Sequence, residues 1–111
     1  MELHRKVGPG LLESAYENAL AYELRKLGLL VQQQLAMPFV YKDIKMDVGY
    51  RIDLLIENKV IVEVKSLETL TPVHFSQLLT YLKLSEKKLG LLINFNCKTI
   101  KEGVHRIVND L

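Results

Sequence analysis

Tyr50-Arg51-Ile52-Asp53-Leu54-Leu55-Ile56, then Glu57-Asn58-Lys59, then Val60-Ile61-Val62-Glu63-Val64-Lys65-Ser66 is the stretch whose reading decides the fold. Two β-rich apolar runs flank three turn-forming residues, and Asp53, Glu63 and Lys65 stand inside those runs. Charges set among aliphatic side chains are costly to bury unless they are paired or hold an ion. A three-residue turn pairs Ile56 with Val60 and sets Asp53 across from Glu63. Strand alternation then predicts Arg51, Asp53, Leu55, Ile61, Glu63 and Lys65 on one face. Ile52, Leu54, Ile56, Val60, Val62 and Val64 fall on the other. A two-residue turn would scatter the charges, so the three-residue register is the expected one.

Opposed carboxylates on neighbouring strands have Cβ atoms about 5 Å apart. Two bare negative charges at about 4 Å repel by roughly 4 kcal/mol at an intermediate effective dielectric. A divalent cation such as Mg²⁺ or Mn²⁺, which prefers hard oxygen ligands, removes that penalty. Lys65, on the same face as Glu63, can steer a water or offset a developing negative charge. A structural ion pair between Lys65 and either acid accounts for the same three residues equally well.

The remaining chain supplies elements to cover this hairpin. Gly8-Pro9-Gly10 opens a helical periodicity of Leu12, Ala15, Tyr16, Ala19, Leu20, Leu24 and Leu27, giving a helix over about Leu11 to Leu27 with Gly28 as the stop. Leu29 to Tyr41 reads as extended, with Pro38 at a bulge or edge, and Lys42-Asp43-Ile44 turns the chain. A second strand is expected from Lys45 to Ile56, interrupted near Gly49, and a third from Val60 to Ser66. Thr71-Pro72 is a helix start, and that helix runs to about Ser85. Gly90 precedes a buried strand, Leu91-Leu92-Ile93-Asn94-Phe95, parallel to the third by the βαβ rule. A last helix is expected over Thr99 to Asn109. The sum is an α/β sandwich around a mixed sheet.

Helix faces add further candidates. His74, Gln77 and Tyr81 recur at spacings of three and four, apart from the Phe75, Leu78, Leu79 and Leu82 stripe. A Gln amide one turn before a Tyr hydroxyl can bind a phosphate or place a water. The spacing alone fits a solvated face better, and His74 suits a surface or capping role. Glu13 sits in the first turn of its helix, where the dipole favours a carboxylate without any site. The alternative makes it an additional acidic ligand.

With 111 residues, 49% apolar and 25% charged, the chain fits one domain with one core, spanning 1–111. The net charge of +2 sets up no strong field for nucleic acid. Cys97 is the only cysteine, so an internal disulfide is excluded and an intracellular, cytoplasmic setting is expected. No apolar run approaches the roughly 18 residues that span a bilayer, so no membrane role is expected.

Taken together, Gly10-Leu11-Leu12-Glu13-Ser14-Ala15-Tyr16 matches the GxxExxY signature of a family of small prokaryotic proteins. That family resembles the PD-(D/E)XK nuclease superfamily, whose restriction-endonuclease-like core is an αβββαβ sandwich. The likeness spans His4 to about Val108. It implies that Asp53 matches the metal-binding Asp, Glu63-Val64-Lys65 the (D/E)XK triplet, Glu13 the helical acid, and Gln77 with Tyr81 a QxxxY element. Ile52 stands where the superfamily often has proline. The resemblance further implies Mg²⁺ (or Mn²⁺) held by Asp53, Glu63 and the Val64 carbonyl, with Glu13 assisting. It makes Lys65 catalytic and gives Gln77 and Tyr81 to the substrate. The expected activity is metal-dependent hydrolysis of phosphodiesters in nucleic acid, with DNA the expected substrate. The competing expectation is a catalytically inactive nucleic-acid-binding or interaction module on the same fold. A homo-oligomer would supply recognition surface that so small a chain lacks.

Overall fold

The computed structural model describes residues 12–110. Helix α1 runs Glu13–Lys26, strand β1 Val31–Met37, and a short hairpin of β2 (Val40–Tyr41) and β3 (Ile44–Lys45) follows. Then come β4 (Tyr50–Ile56), β5 (Val60–Lys65), helix α2 (Pro72–Ser85), β6 (Leu89–Asn94), the one-turn helix α3 (Ile100–Gly103) and β7 (Val104–Val108). The opening Gly8-Pro9-Gly10 and the expected helix start at Leu11 lie outside the described residues.

Five strands form one mixed sheet in the order β1-β4-β5-β6-β7, with β5 and β6 parallel and the other neighbours antiparallel. The β4–β5 register is the expected one, with Ile56 opposite Val60 and Leu54 opposite Val62. Glu57 and Asn58 have φ of 53° and 55°, the left-handed conformation that a short hairpin loop of this kind requires and asparagine tolerates.

Each face of the sheet carries its own core. On the α1 face, Tyr16 and Ala21 pack with Val31, Leu54, Val62, Val64, Ile93 and Phe95. On the α2 face, Leu78 and Leu82 pack with Ile52, Leu55, Ile61 and Leu92. The Tyr16 ring stacks on Phe95 at 4.4 Å between centroids. At the start of α2 the Thr71 N–H donates to His74 Nδ1 at 3.0 Å, so His74 is a capping residue.

Two expectations need correction. The first is the division of the hairpin into an apolar and a charged face. Leu54 belongs to the α1 core but Ile52, two residues away, belongs to the α2 core, as do Tyr50 and Met37. In β1, Val31 is on the α1 side and Leu35 on the α2 side. Residues an even number apart share a face in a regular strand, so both strands switch faces together, at Gln34 and Asp53. Gln34 has φ 48°, and that left-handed residue reverses the pleat. The sheet is also covered on both sides, so neither face is left to the charges alone.

The second correction concerns the C-terminal helix expected over Thr99 to Asn109. Only Ile100–Gly103 is helical, and Val104–Val108 forms an edge strand on β6. Val104, Ile107 and Val108 are β-branched and pack well on a pleated surface. Gly103 fits where nothing larger can: a Cβ there would lie 1.9 Å from the Asn94 carbonyl oxygen. Smaller shifts occur elsewhere. Lys42 and Asp43 alone make the β2–β3 turn, with φ of 50° and 66°, and Ile44 already belongs to β3.

Candidate active site

The β4–β5 ladder ends at Leu54–Val62, and beyond it side chains take over from the main chain. The Asp53 N–H donates to Glu63 Oε2 at 3.2 Å, and the Val64 N–H donates to Asp53 Oδ2 at 2.8 Å. The two carboxylates therefore meet in the gap between the strands instead of standing side by side on one flat face. Phe95 N–H donates to the Lys65 carbonyl at 2.8 Å, so Lys65 turns its main chain towards β6. By alternation Val64 turns both its N–H and its carbonyl into the gap.

Glu63 is only 5% exposed. Burial pushes its carboxyl up to about 9, helped by a hydrogen bond to Asp53 and by the Asp53 charge, while Lys65 pulls it down. Tyr81, on α2, is raised first by burial and then by the charges of Glu63 and Asp53. Its ring stacks on Tyr50 with centroids 4.8 Å apart. The remaining candidates are Gln77 and Glu13. Gln77 is exposed one turn before Tyr81. Glu13 is on the α1 side, where its carboxylate accepts the Ser66 N–H at 3.0 Å.

Asp53, Glu13, Val64 and Ser66 line a cleft of about 680 Å³, together with Glu17 and Gln34. Sequence reasoning passed over these last two. Glu17 is 6% exposed and accepts the amides of Gln33 at 3.0 Å and Gln34 at 2.6 Å. The Gln34 amide also reaches Asp53 Oδ1 at 3.1 Å. The signal was the glutamine run Gln32-Gln33-Gln34 in a strand destined to pair with the strand of Asp53.

Two touching carboxylates and a main-chain carbonyl facing one gap are oxygen donors of the kind a hard divalent cation takes, with water completing the shell. Burial first, and the neighbouring Asp53 second, disfavour the charged form of Glu63, and a cation between the acids would favour it. Among the described residues no three His, Cys, Asp or Glu side chains gather closely enough to hold a metal by themselves. By donor type alone, Asp53, Glu63 and the Val64 carbonyl fit a hard cation.

A family model described as the PD-(D/E)XK nuclease superfamily matches residues 1–107, and the chain belongs to that superfamily. Its members typically use divalent metals, and its substrates are nucleic acids. Searches among curated proteins and among solved structures returned no match. No helix among the described residues is long and apolar enough to cross a membrane.

Proposed function

We propose that this chain is a divalent-metal-dependent nuclease of the GxxExxY type that hydrolyses phosphodiester bonds in DNA. The observation that carries the reading is the meeting of Asp53 and Glu63 in the gap where the β4–β5 ladder stops. Asp53, Glu63 and the Val64 carbonyl hold Mg²⁺ or Mn²⁺. That cation supplies Lewis-acid polarisation of a phosphate oxygen and a lowered pKa for water.

Lys65 offsets negative charge that develops on the phosphate in the transition state, where a cation in a partly buried site acts strongly. Glu13, already committed to Ser66, would assist in holding the cation. Tyr81 and the exposed Gln77 bind the substrate backbone along one side of α2.

A second reading is a catalytically inactive nucleic-acid-binding or interaction module on the same fold. It is favoured by one observation: Asp53 and Glu63 each accept a main-chain N–H, so they also mend the strand gap. Calorimetric titration with Mn²⁺ and cleavage assays on a panel of DNA and RNA substrates separate the two readings. A nuclease binds Mn²⁺, Asp53→Asn abolishes binding, and Lys65→Ala binds metal but cleaves poorly. Wild type that binds no Mn²⁺ would leave the inactive module.

A further inference from the structure

We propose that Gln34 is a positioning residue for Asp53, a clamp that ties the carboxylate to helix α1; the inference rests on the reading of Asp53 as a metal ligand. Three observations converge on Gln34. Its backbone is left-handed at φ 48° in mid-strand, a conformation that non-glycine residues adopt at a cost and keep only where the surroundings impose it. It occupies the step at which β1 and β4 change faces, opposite Asp53 in the register set by Gln33–Leu54 and Leu35–Ile52. Its amide nitrogen bridges Glu17 Oε1 at 2.6 Å and Asp53 Oδ1 at 3.1 Å.

The chemistry of the bridge is specific. An amide nitrogen has two hydrogens, one for each carboxylate, and it adds no charge. A lysine in this place would compete with a cation for Asp53, and a glutamate would repel it. Glu17, itself buried and fastened by Gln33, anchors the far end. Asp53 then has Oδ1 on Gln34 and Oδ2 on the Val64 N–H. Two donors on opposite oxygens define the plane of the carboxyl group, with the Glu63 carboxyl as its neighbour across the gap. Partners that orient a ligating carboxylate in this way typically alter metal affinity by about 10–100-fold when removed.

Gln34→Gly and Gln34→Asn separate the side chain from the backbone. Glycine and asparagine both accept the left-handed conformation, so both variants keep the face switch, but neither reaches Asp53 from Glu17. The Val64 amide, bonded to Asp53, reports the carboxylate directly and without metal. In hydrogen exchange followed by NMR, that amide should exchange about tenfold faster in both variants, while the amides of the β5–β6 ladder stay as in wild type. The Mn²⁺ dissociation constant, measured by calorimetry, should weaken by about tenfold.

Unchanged exchange at Val64 would overturn the proposal. So would a general loss of protection across β5 and β6, since Gln34 would then hold the sheet and not the carboxylate. If wild type binds no Mn²⁺ while Val64 still responds, the metal reading fails and the positioning of Asp53 by Gln34 stands.

Discussion

The main-chain N–H of Asp53 donates to the carboxylate of Glu63 at 3.2 Å, across a gap where the two strands no longer pair through their backbones. The same contact that mends the sheet brings two acids together. Stability and chemistry therefore meet at one point, and each can be used to read the other.

The pH dependence of stability follows from Glu63. Its folded carboxyl is raised from 4.5 to about 9, so the folded state binds more protons than the unfolded chain between those values. Its favourable contribution is complete below about pH 4.5 and is lost as pH rises through about 9. Metal-free protein should unfold at progressively lower temperature from pH 5 to 9, by at most about 1.4 kcal/mol per pH unit. Glu63→Gln should flatten that slope and stabilise the protein at pH 8 by about 1–3 kcal/mol, while abolishing Mn²⁺ binding. Thermal melts across pH check the sign, and a rising melting temperature between pH 5 and 9 would refute it.

Lys65 and Glu13 should separate by assay. Lys65→Met leaves Mn²⁺ affinity within a few-fold of wild type and lowers the cleavage rate by about 10²–10³-fold. Glu13→Gln keeps an acceptor for the Ser66 N–H, so the melting temperature holds and Mn²⁺ binding weakens by a few-fold only. Calorimetry beside a single-turnover cleavage assay reads both. A complete loss of metal binding in Glu13→Gln would make Glu13 a direct ligand.

Among the described residues, none stands in hydrogen-bond geometry to the buried hydroxyl of Tyr50. Ser85, close enough to lower the Tyr50 phenol against the burial that raises it, donates instead to the Tyr81 carbonyl at 2.7 Å. Tyr50→Phe removes an unsatisfied polar atom and keeps the ring stacked on Tyr81. Stability by urea denaturation should be unchanged or higher by about 0.5–1 kcal/mol. A loss above about 1 kcal/mol would show that the hydroxyl is engaged.

Gly103→Ala tests the chain reversal that replaces the expected last helix. The added methyl would collide with the Asn94 carbonyl and approach Cys97 Sγ at 2.9 Å. Asn94 also holds Leu67 through two bonds of 2.9 Å, so the backbone there has little freedom to yield. A loss of about 2–4 kcal/mol is expected in urea unfolding, with amide protection lost first in β7.

Much of the fold was legible because it rests on local rules. Val, Ile and Leu at strand spacing around Glu57-Asn58-Lys59 set the β4–β5 register, and Thr71-Pro72 set the start of α2. The expected αβββαβ order appears in α1, β1, β4, β5, α2 and β6, with a small hairpin inserted. Val104–Val108 escaped because a short segment rich in β-branched residues obtains its conformation from a neighbour. The β-branched residues favour a strand only weakly, and pairing with β6 decides it.

By itself the amino-acid order determined the charged triplet Asp53, Glu63 and Lys65, the apolar runs that carry it, and the superfamily to which those motifs belong. Only the tertiary structure decided that β1 and β4 change faces at Gln34 and Asp53, that the acids meet in a gap, and that Glu17 and Gln34 join them. The physical reason is distance along the chain. Alternation is a property of one strand, but a left-handed residue in β1 acts on its partner strand, and contacts between α1, β1 and β4 exist only after the sheet has assembled.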